Sequence, residues 1–404
     1  MINKSDFKKV RDIVFLKDVL LLTLSAIGGP EMHLSLFLKK LVKDKRYISE
    51  SELLELNSLC QILPGPTSTQ TLTAIGYKMG GARLAFLALL IWIMPATIIM
   101  TIFVLTSSYL NLDYLRYVGP MAVGFIIFAA YKMSKILKTD TLSMSLAAIA
   151  CIVSVMAHSP VSFPVLLIFG AVMSVNFGKR TFIPNDKPIL NVRWANFILF
   201  VSILIGAAVV GAITKQYYPS IARPVLLFEN TYRMGSMVFG GGNVLYSMIL
   251  TEFVEFRQKR YLTLAEFNTG LGLLQAVPGP TFSLATYANG MAMKTLGYNT
   301  FGQLIGCAVG TIAIFLPGTL MIFFVYPIWN QLKLYPIVNR SLDGIIAVAI
   351  GLVWSAACFM IMPMLKTTGP IITTNLIVMA LTIGLLSFKK IPPLVIVILT
   401  ILAG

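Results

Sequence analysis

Charge is what this chain has least of. Only 12% of its 404 residues are Asp, Glu, Lys or Arg, while 57% are hydrophobic and the mean hydropathy is +0.83. Soluble domains carry roughly 25% charged residues. So little polar surface cannot cover a water-facing globule, which excludes a soluble protein and makes the lipid bilayer its partner. Acidic residues are scarcest, 16 against 32 Lys and Arg, for a formal net charge of +16. A basic excess can signal nucleic-acid binding. Here, however, the cations stand in short loops between apolar runs, as at Lys39-Lys40, Lys43, Lys45-Arg46 and Lys179-Arg180. That is the positive-inside bias of a polytopic protein, and no nucleic-acid partner is expected. Cysteine is rare too: Cys60, Cys151, Cys307 and Cys358 lie far apart, each in or beside an apolar run. They show neither metal spacing nor a paired framework, so they read as buried free thiols, with no metal or other cofactor expected. HExxH, GxSxG, P-loop, CxxC and aspartate-rich cation motifs are all missing. Their absence leaves enzyme chemistry and ATP-driven transport without support. The first apolar run, 19–27, leads into Gly-Gly-Pro rather than a small-residue cleavage site, so no cleaved signal peptide is expected.

What the chain does have is apolar length. A membrane-crossing helix needs about 20 mainly apolar residues. Segments 84–106, 117–131, 142–157, 161–177 and 194–213 are candidates in the first half, and 302–326, 345–362, 371–388 and 392–403 in the second. The expected fold is all-α and polytopic.

It also says one unusual thing twice. Gln61-Ile62-Leu63-Pro64-Gly65-Pro66-Thr67 returns as Gln275-Ala276-Val277-Pro278-Gly279-Pro280-Thr281, each proline-glycine-proline starting seventeen residues past a tyrosine, Tyr47 or Tyr261. A glycine cluster precedes each copy, Gly28-Gly29-Pro30 in one half and Gly240-Gly241-Gly242 in the other. Further on, Trp92-Ile93-Met94-Pro95-Ala96-Thr97 parallels Ile314-Phe315-Leu316-Pro317-Gly318-Thr319, and the closing hairpins match as well. Two repeats follow, 7–177 and 220–404, separated by a segment 178–219 that carries one extra helix. A single crossing between them inverts the second if each repeat crosses an even number of times. Basic loops at 4–17, 39–46, 78–83, 132–138 and 178–193 share one side only if 18–38 and 49–77 are re-entrant pairs. The charge of Arg257, Lys259 and Arg260 leaves the side of the second repeat's loops open.

Matching helix breakers in two apolar halves point to the binding site of a secondary transporter. Proline inside a helix loses a backbone donor and clashes with the preceding turn, but it is tolerated at a helix start. Each motif therefore reads as helix, break, new helix, the new one beginning near Pro66 or Pro280. Its first turn holds Thr67, Ser68 and Thr69, or Thr281, Phe282 and Ser283. Leading N–H groups lack internal partners, and the helix dipole places about half a positive charge there. With added hydroxyls, this forms an anion site that needs no arginine. Gly28-Gly29-Pro30, with Glu31 and His33 in the turn that follows, and Gly240-Gly241-Gly242-Asn243 would bring two more helix ends to the same cavity. Gln61 and Gln275, one turn before each break, either donate to a substrate or bond a freed carbonyl. Glu252 and Glu255 read as capping a helix that runs into the aqueous loop at 257–260, with proton carriage as the alternative. Arg223 and Arg233 read as solvated loop cations.

At these residues the chain resembles the chromate ion transporter family, in its long two-domain form. The resemblance rests on the GGP and GGG elements, the basic loop closed by an aromatic, Tyr47-Ile48-Ser49-Glu50-Ser51-Glu52 and Tyr261-Leu262-Thr263-Leu264-Ala265-Glu266, and then QxxPGP. Ser49 with Glu52 and Thr263 with Glu266 also form sequence-level capping boxes. The resemblance implies transport of an oxyanion, chromate or its mimic sulfate, across the cell membrane by a multi-pass protein, with a homo-oligomer allowed. It carries over the GGP, GGG and PGP positions as substrate-binding residues. Ile27 departs from the family's aromatic before the first glycine cluster, and Ser68-Thr69 differs from Phe282-Ser283, so the half-sites are unequal. The alternative is a transporter or channel for another small solute, with the breaks acting as a gate.

Overall fold

The computed structural model describes residues 4–27, 30–107, 116–135, 137, 140–157, 162–178, 192–239, 242–256, 261–332, 335–365, 370–388, 391 and 393–403. The first half comprises α1 (Lys4–Ser25), α2 (Pro30–Phe37) continued by a π-helical turn (Leu38–Asp44), α3 (Glu50–Ile62), α4 (Thr67–Thr106), α5 (Val118–Ser134), α6 (Thr141–Ala157) and α7 (Ser162–Phe177). The extra helix is α8 (Ala195–Tyr217). The second half comprises α9 (Pro219–Met237), α10 (Gly242–Ile249) with its own π-turn (Leu250–Glu255), α11 (Leu264–Leu274), a 3-10 turn (Thr281–Ser283) leading into α12 (Leu284–Thr295), α13 (Thr300–Val325), α14 (Trp329–Leu332), α15 (Pro336–Leu365), α16 (Pro370–Ser387) and α17 (Pro393–Ala403). No strand occurs among the described residues.

α4 is two helices rather than one. Gly80 and Gly81 leave helical geometry (Gly81 φ +79°) and the chain doubles back. A Cβ on Gly76 would stand 2.9 Å from Ala85 Cα, and Trp92 Nε1 donates to Thr69 Oγ1 at 3.1 Å. Both pairs share one antiparallel register. The turn falls in the 78–83 loop that the sequence placed there, and α12 and α13 repeat the hairpin around Gly297 (φ +82°). Their register is set by Asn289, which packs against Gly310, and by Thr286, whose hydroxyl lies 2.8 Å from that of Thr311.

Side-chain ties verify the re-entrant pairs. Tyr47 Oη donates to Asp18 Oδ2 at 2.5 Å, and Lys45 pairs with Asp18 at 2.9 Å, so α2 and its π-turn return to the face that α1 left. Lys78, near the end of the first leg of α4, pairs with Glu52 at the start of α3. The second leg then crosses: residues 82–106 rise about 37 Å at 1.5 Å each, more than a ~30 Å hydrocarbon core. At its far end Ser107 accepts a hydrogen bond from Lys294, in the last turn of α12 (2.6 Å). α13 runs the opposite way, ending with Tyr326 against Tyr77 (5.3 Å between ring centroids) and near Trp329, whose Nε1 donates to Glu55 (3.1 Å). The re-entrant hairpin of the second half therefore enters from the other face. The repeats are inverted, and this geometry decides what the loop charges left open. Arg257, Lys259 and Arg260 themselves lie outside the described residues.

The halves exchange partners as well. α15 packs on α6 and α7, and α5 packs on α16 and α17. Ser355 donates to Ser154 (3.1 Å) and Gly351 abuts Ala150, so α6 and α15 run parallel. Gly170 abuts Gly344 while Ser174 donates to the Arg340 carbonyl (2.6 Å), so α7 runs antiparallel to α15. Glycine at 170, 344 and 351 lets these backbones close to contact, the packing that membrane helices use in place of a hydrophobic drive. Large apolar side chains cover the outside, among them Met156, Ile198, Ile205, Phe301 and Leu402. Patches on that scale belong in lipid.

Candidate functional site

All four sequence-predicted interruptions are present. α1 ends at Ser25 and α2 begins at Pro30, and α9 ends at Met237 before α10 begins at Gly242. Gly28, Gly29, Gly240 and Gly241 lie outside the described residues, as do the side chains of Glu31, Gln61 and Asn243. At the first PGP break α3 stops at Ile62, Leu63 turns extended (ψ 147°), and α4 starts at Thr67 with Pro66 at its N-cap. At the second, α11 stops at Leu274 and Pro280 turns extended (ψ 136°). Here the structure differs from the expected helix start near Pro280: Thr281–Ser283 form a 3-10 turn, and the α-helix begins only at Leu284. Such turns are common at helix starts, and this one turns the Ser283 N–H back to the Pro280 carbonyl (3.1 Å). Gly65 and Gly279 adopt the same left-handed backbone, φ +121° and +120°.

The breaks are tied crosswise. Gly65 N–H donates to the Val238 carbonyl at 2.7 Å, and Gly279 N–H donates to the Ala26 carbonyl at 2.9 Å. Each PGP turn is thus held by the residue two positions before the other repeat's glycine cluster. Each also lies on the other repeat's proline-containing helix. A Cβ on Gly65 would meet Gly318 Cα at 2.8 Å, and one on Gly279 would meet Ala96 Cβ at 2.9 Å. Within each repeat the cluster and the PGP helix touch again: His33 Nδ1 lies 3.1 Å from Ser68 Oγ, and Gly242 abuts Thr281 Oγ1. The four interruptions therefore form one connected knot. Every residue from Thr67 to Gly76 and from Thr281 to Met293 is buried. The grooves of about 400 and 440 Å³ lie elsewhere, one among α8, α9 and α13 and the other among α5, α6 and α15.

Polar atoms at the knot are buried without protein partners. Among the described residues, Thr67 Oγ1, Ser283 Oγ and Gln70 Oε1 make no hydrogen bond. His33 Nε2 makes none of acceptable geometry, although the Ala26 backbone lies beside the ring. Each orphaned group costs roughly 1–3 kcal/mol. Two of them, on Thr67 and Ser283, are hydroxyls at helix starts.

Several residues here escaped the sequence reading. Gln70 serves the broken backbone, its Nε2 donating to the Pro64 carbonyl (2.9 Å) and the Gly318 carbonyl (3.0 Å). Position 284 in the other repeat is leucine, so no duplication flagged Gln70. Trp92 closes one wall, its ring edge-on to His33 at 5.1 Å. Tyr246, buried on α10, lies within hydrogen-bonding reach of Thr281 and Gln275. Gln275 itself is buried. Asn289, fully buried, donates to Thr231 Oγ1 (2.9 Å) and the Ala285 carbonyl (2.8 Å).

Two expectations fail. Arg233 is no solvated loop residue. It stands on α9, pairs with Glu229 at 2.9 Å and Glu252 at 3.1 Å, and lies 3.3 Å from Asn230 Oδ1. Glu252 in turn is buried inside the bundle in the π-turn rather than capping a helix in water. Arg223 also sits on α9 rather than in a loop, beside Tyr261, but it stays exposed, as expected of a solvated cation. The reason is topological: the π-turn folds back against α9, so like the Asp18–Lys45 pair it sets acid against base, and burial then demands pairing.

The fold and the knot define a polytopic, inverted-repeat membrane protein with paired broken helices. The chain belongs to the chromate transporter family, whose description, "Chromate transporter", matches residues 14–175 and 225–404. It is similar to a chromate transport protein of Cupriavidus metallidurans, 25% identical over 378 residues, covering 90% of this chain and 85% of that one. A probable chromate transport protein of Synechococcus elongatus is 25% identical over 342 residues, covering 81% and 79%. An uncharacterized transporter of Methanocaldococcus jannaschii is 24% identical over 339 residues, with the same coverages. No solved structure matches the chain.

Proposed function

We propose that this protein is a secondary transporter of tetrahedral oxyanions in the cell membrane, with chromate and sulfate as its substrate class. The anion binds where the PGP helices begin, between the repeats 7–177 and 220–404, which the segment 178–219 connects. One observation carries this reading: the first-turn hydroxyls of Thr67 and Ser283 are buried without partners at breaks that are cross-tied between the repeats. A buried anion must exchange its hydration for fixed donors. Helix starts supply N–H groups and partial positive charge, and Thr67, Ser68, Ser283 and His33 add side-chain donors. Half-helices aimed at a midplane site are the construction used by inverted-repeat carriers of anionic solutes. The remaining positions of the glycine clusters and PGP turns (Gly28, Gly29, Pro30, Gly240, Gly241, Gly242, Pro64, Gly65, Pro66, Pro278, Gly279 and Pro280) shape the cradle with their backbones. The relatives named chromate transport proteins support chromate as the first substrate to test.

Flux of radiolabelled chromate and sulfate into proteoliposomes, with and without a proton gradient, tests the proposal. Saturable flux with mutual competition between the two anions is expected. Flux that neither sulfate, chromate nor molybdate inhibits would leave a carrier or channel for another solute, with the breaks as its gate.

A further inference from the structure

The two half-exposed cysteines, far apart in sequence, meet in the fold. Cys151 stands on α6 of the first repeat and Cys358 on α15 of the second, and both are partly exposed, whereas Cys60 and Cys307 are buried. α6 and α15 pack closely and in parallel: Gly351 brings the α15 backbone against Ala147 and Ala150, and Ser154 and Ser355 hydrogen-bond at 3.1 Å. Cys151, one turn before Ser154, and Cys358, one turn after Ser355, bring their thiols within interaction distance of each other across this contact. They share the wall of the groove of about 440 Å³, with Met144, Trp354 and Ser134. A small neutral oxidant that partitions into the bilayer has a path to them.

We infer that Cys151 and Cys358 form an oxidisable dithiol, a modification site whose closure as a disulfide staples the first repeat to the second. The oxidant is a peroxide. One cysteine sulfur attacks a peroxide oxygen, the O–O bond breaks, and a sulfenic acid and one water result. The second sulfur then attacks the sulfenic sulfur, an S–S bond forms, the S–O bond breaks, and a second water leaves with the remaining protons. Two electrons pass from the sulfurs to the peroxide. Oxidation that stops short of a second thiol goes on to irreversible acids, so a partner at hand makes the change reversible. The linked positions are far apart in the chain, so reduction leaves the two helices held together by packing alone.

The test uses the full-length protein in membranes, with a site-specific protease sequence inserted in the linker 179–191. After hydrogen peroxide treatment and cleavage, the halves are expected to migrate together on a denaturing, non-reducing gel and separately after reduction. Peptide mass spectrometry should show one species joining the two cysteine peptides, lighter than their sum by two hydrogens. Cys151→Ser and Cys358→Ser should each abolish the joined band, while a Cys60→Ser/Cys307→Ser double variant retains it. Halves that separate after every peroxide dose, or a joined band that survives both single substitutions, would overturn the assignment.

Discussion

Gly65 and Gly279 each combine a backbone that only glycine adopts readily with a neighbour too close to admit a methyl group. Gly65→Ala and Gly279→Ala should each destabilise the protein by about 1–3 kcal/mol, read as a lower melting temperature in detergent. The contact at Gly279 is with the Ala96 methyl, at the position that is already Gly318 in the other repeat. Ala96→Gly should therefore return part of the stability lost in Gly279→Ala, and melting of the double variant below the single one would refute that geometry. The hydroxyls separate structure from function more sharply. Thr67→Val and Ser283→Ala remove groups that bond nothing in the protein, so the melting temperature should hold or rise. If those groups bind an anion, each loss of a charged hydrogen bond is worth about 1.5–3 kcal/mol, or roughly 10- to 100-fold in the apparent affinity for chromate. Unchanged affinity in both variants would remove the anion from this position.

Two short helices, α3 and α11, illustrate how local chemistry builds the approach to the breaks. Ser49 and Thr263 accept from the N–H groups of Glu52 and Glu266, whose carboxylates return to the Ser49 and Thr263 N–H groups at 3.0 and 2.8 Å. Ser49→Ala or Thr263→Ala should cost about 1 kcal/mol, visible as a shift in a chemical denaturation midpoint. At Glu52 the hydrogen bond from Lys78 comes first, then that from the Ser49 backbone, and together they hold the carboxyl below its usual range. A depressed folded-state value means the contribution is present above the unfolded value and lost as pH falls through the folded one. The melting temperature of the native protein should therefore drop more on acidification than that of Glu52→Gln. Equal acid sensitivity would show that this carboxylate contributes nothing. The π-turns at Leu38–Asp44 and Leu250–Glu255 occupy matching places in both repeats. Hydrophobic periodicity carries no sign of them, because an extra residue in a turn is selected by what packs against it.

Inversion is a property of the assembled bundle. The turn at Gly80–Gly81 and the turn at Gly297 join equivalent hairpins, yet Lys294 meets Ser107 at the end of a helix that began at the first turn. Single cysteines at the exposed positions Ala82 and Thr295, in a chain whose four native cysteines are serine, should react with a membrane-impermeant thiol reagent from opposite sides of the bilayer. Labelling from one side would refute the inverted arrangement. The exchange of hairpins, α6–α7 onto α15 and α16–α17 onto α5, further implies that neither repeat holds its shape alone. Each leaves a long helix without the hairpin that covers it.

Composition, apolar run length and the two PGP copies were enough to determine an all-α membrane protein with interrupted helices, because proline and glycine act within a few residues of where they stand. The capping boxes and the hairpin turn near Gly80 were legible for the same reason. Tertiary structure alone decided that each break is held by the other repeat, that Gln70 bonds the freed carbonyl of the first one, that Arg233 and Glu252 are paired inside the bundle, and that Cys151 faces Cys358. These are meetings between residues far apart in the chain. Their outcome depends on helix register and on which backbone a glycine lets approach, and neither is written in any short stretch of sequence.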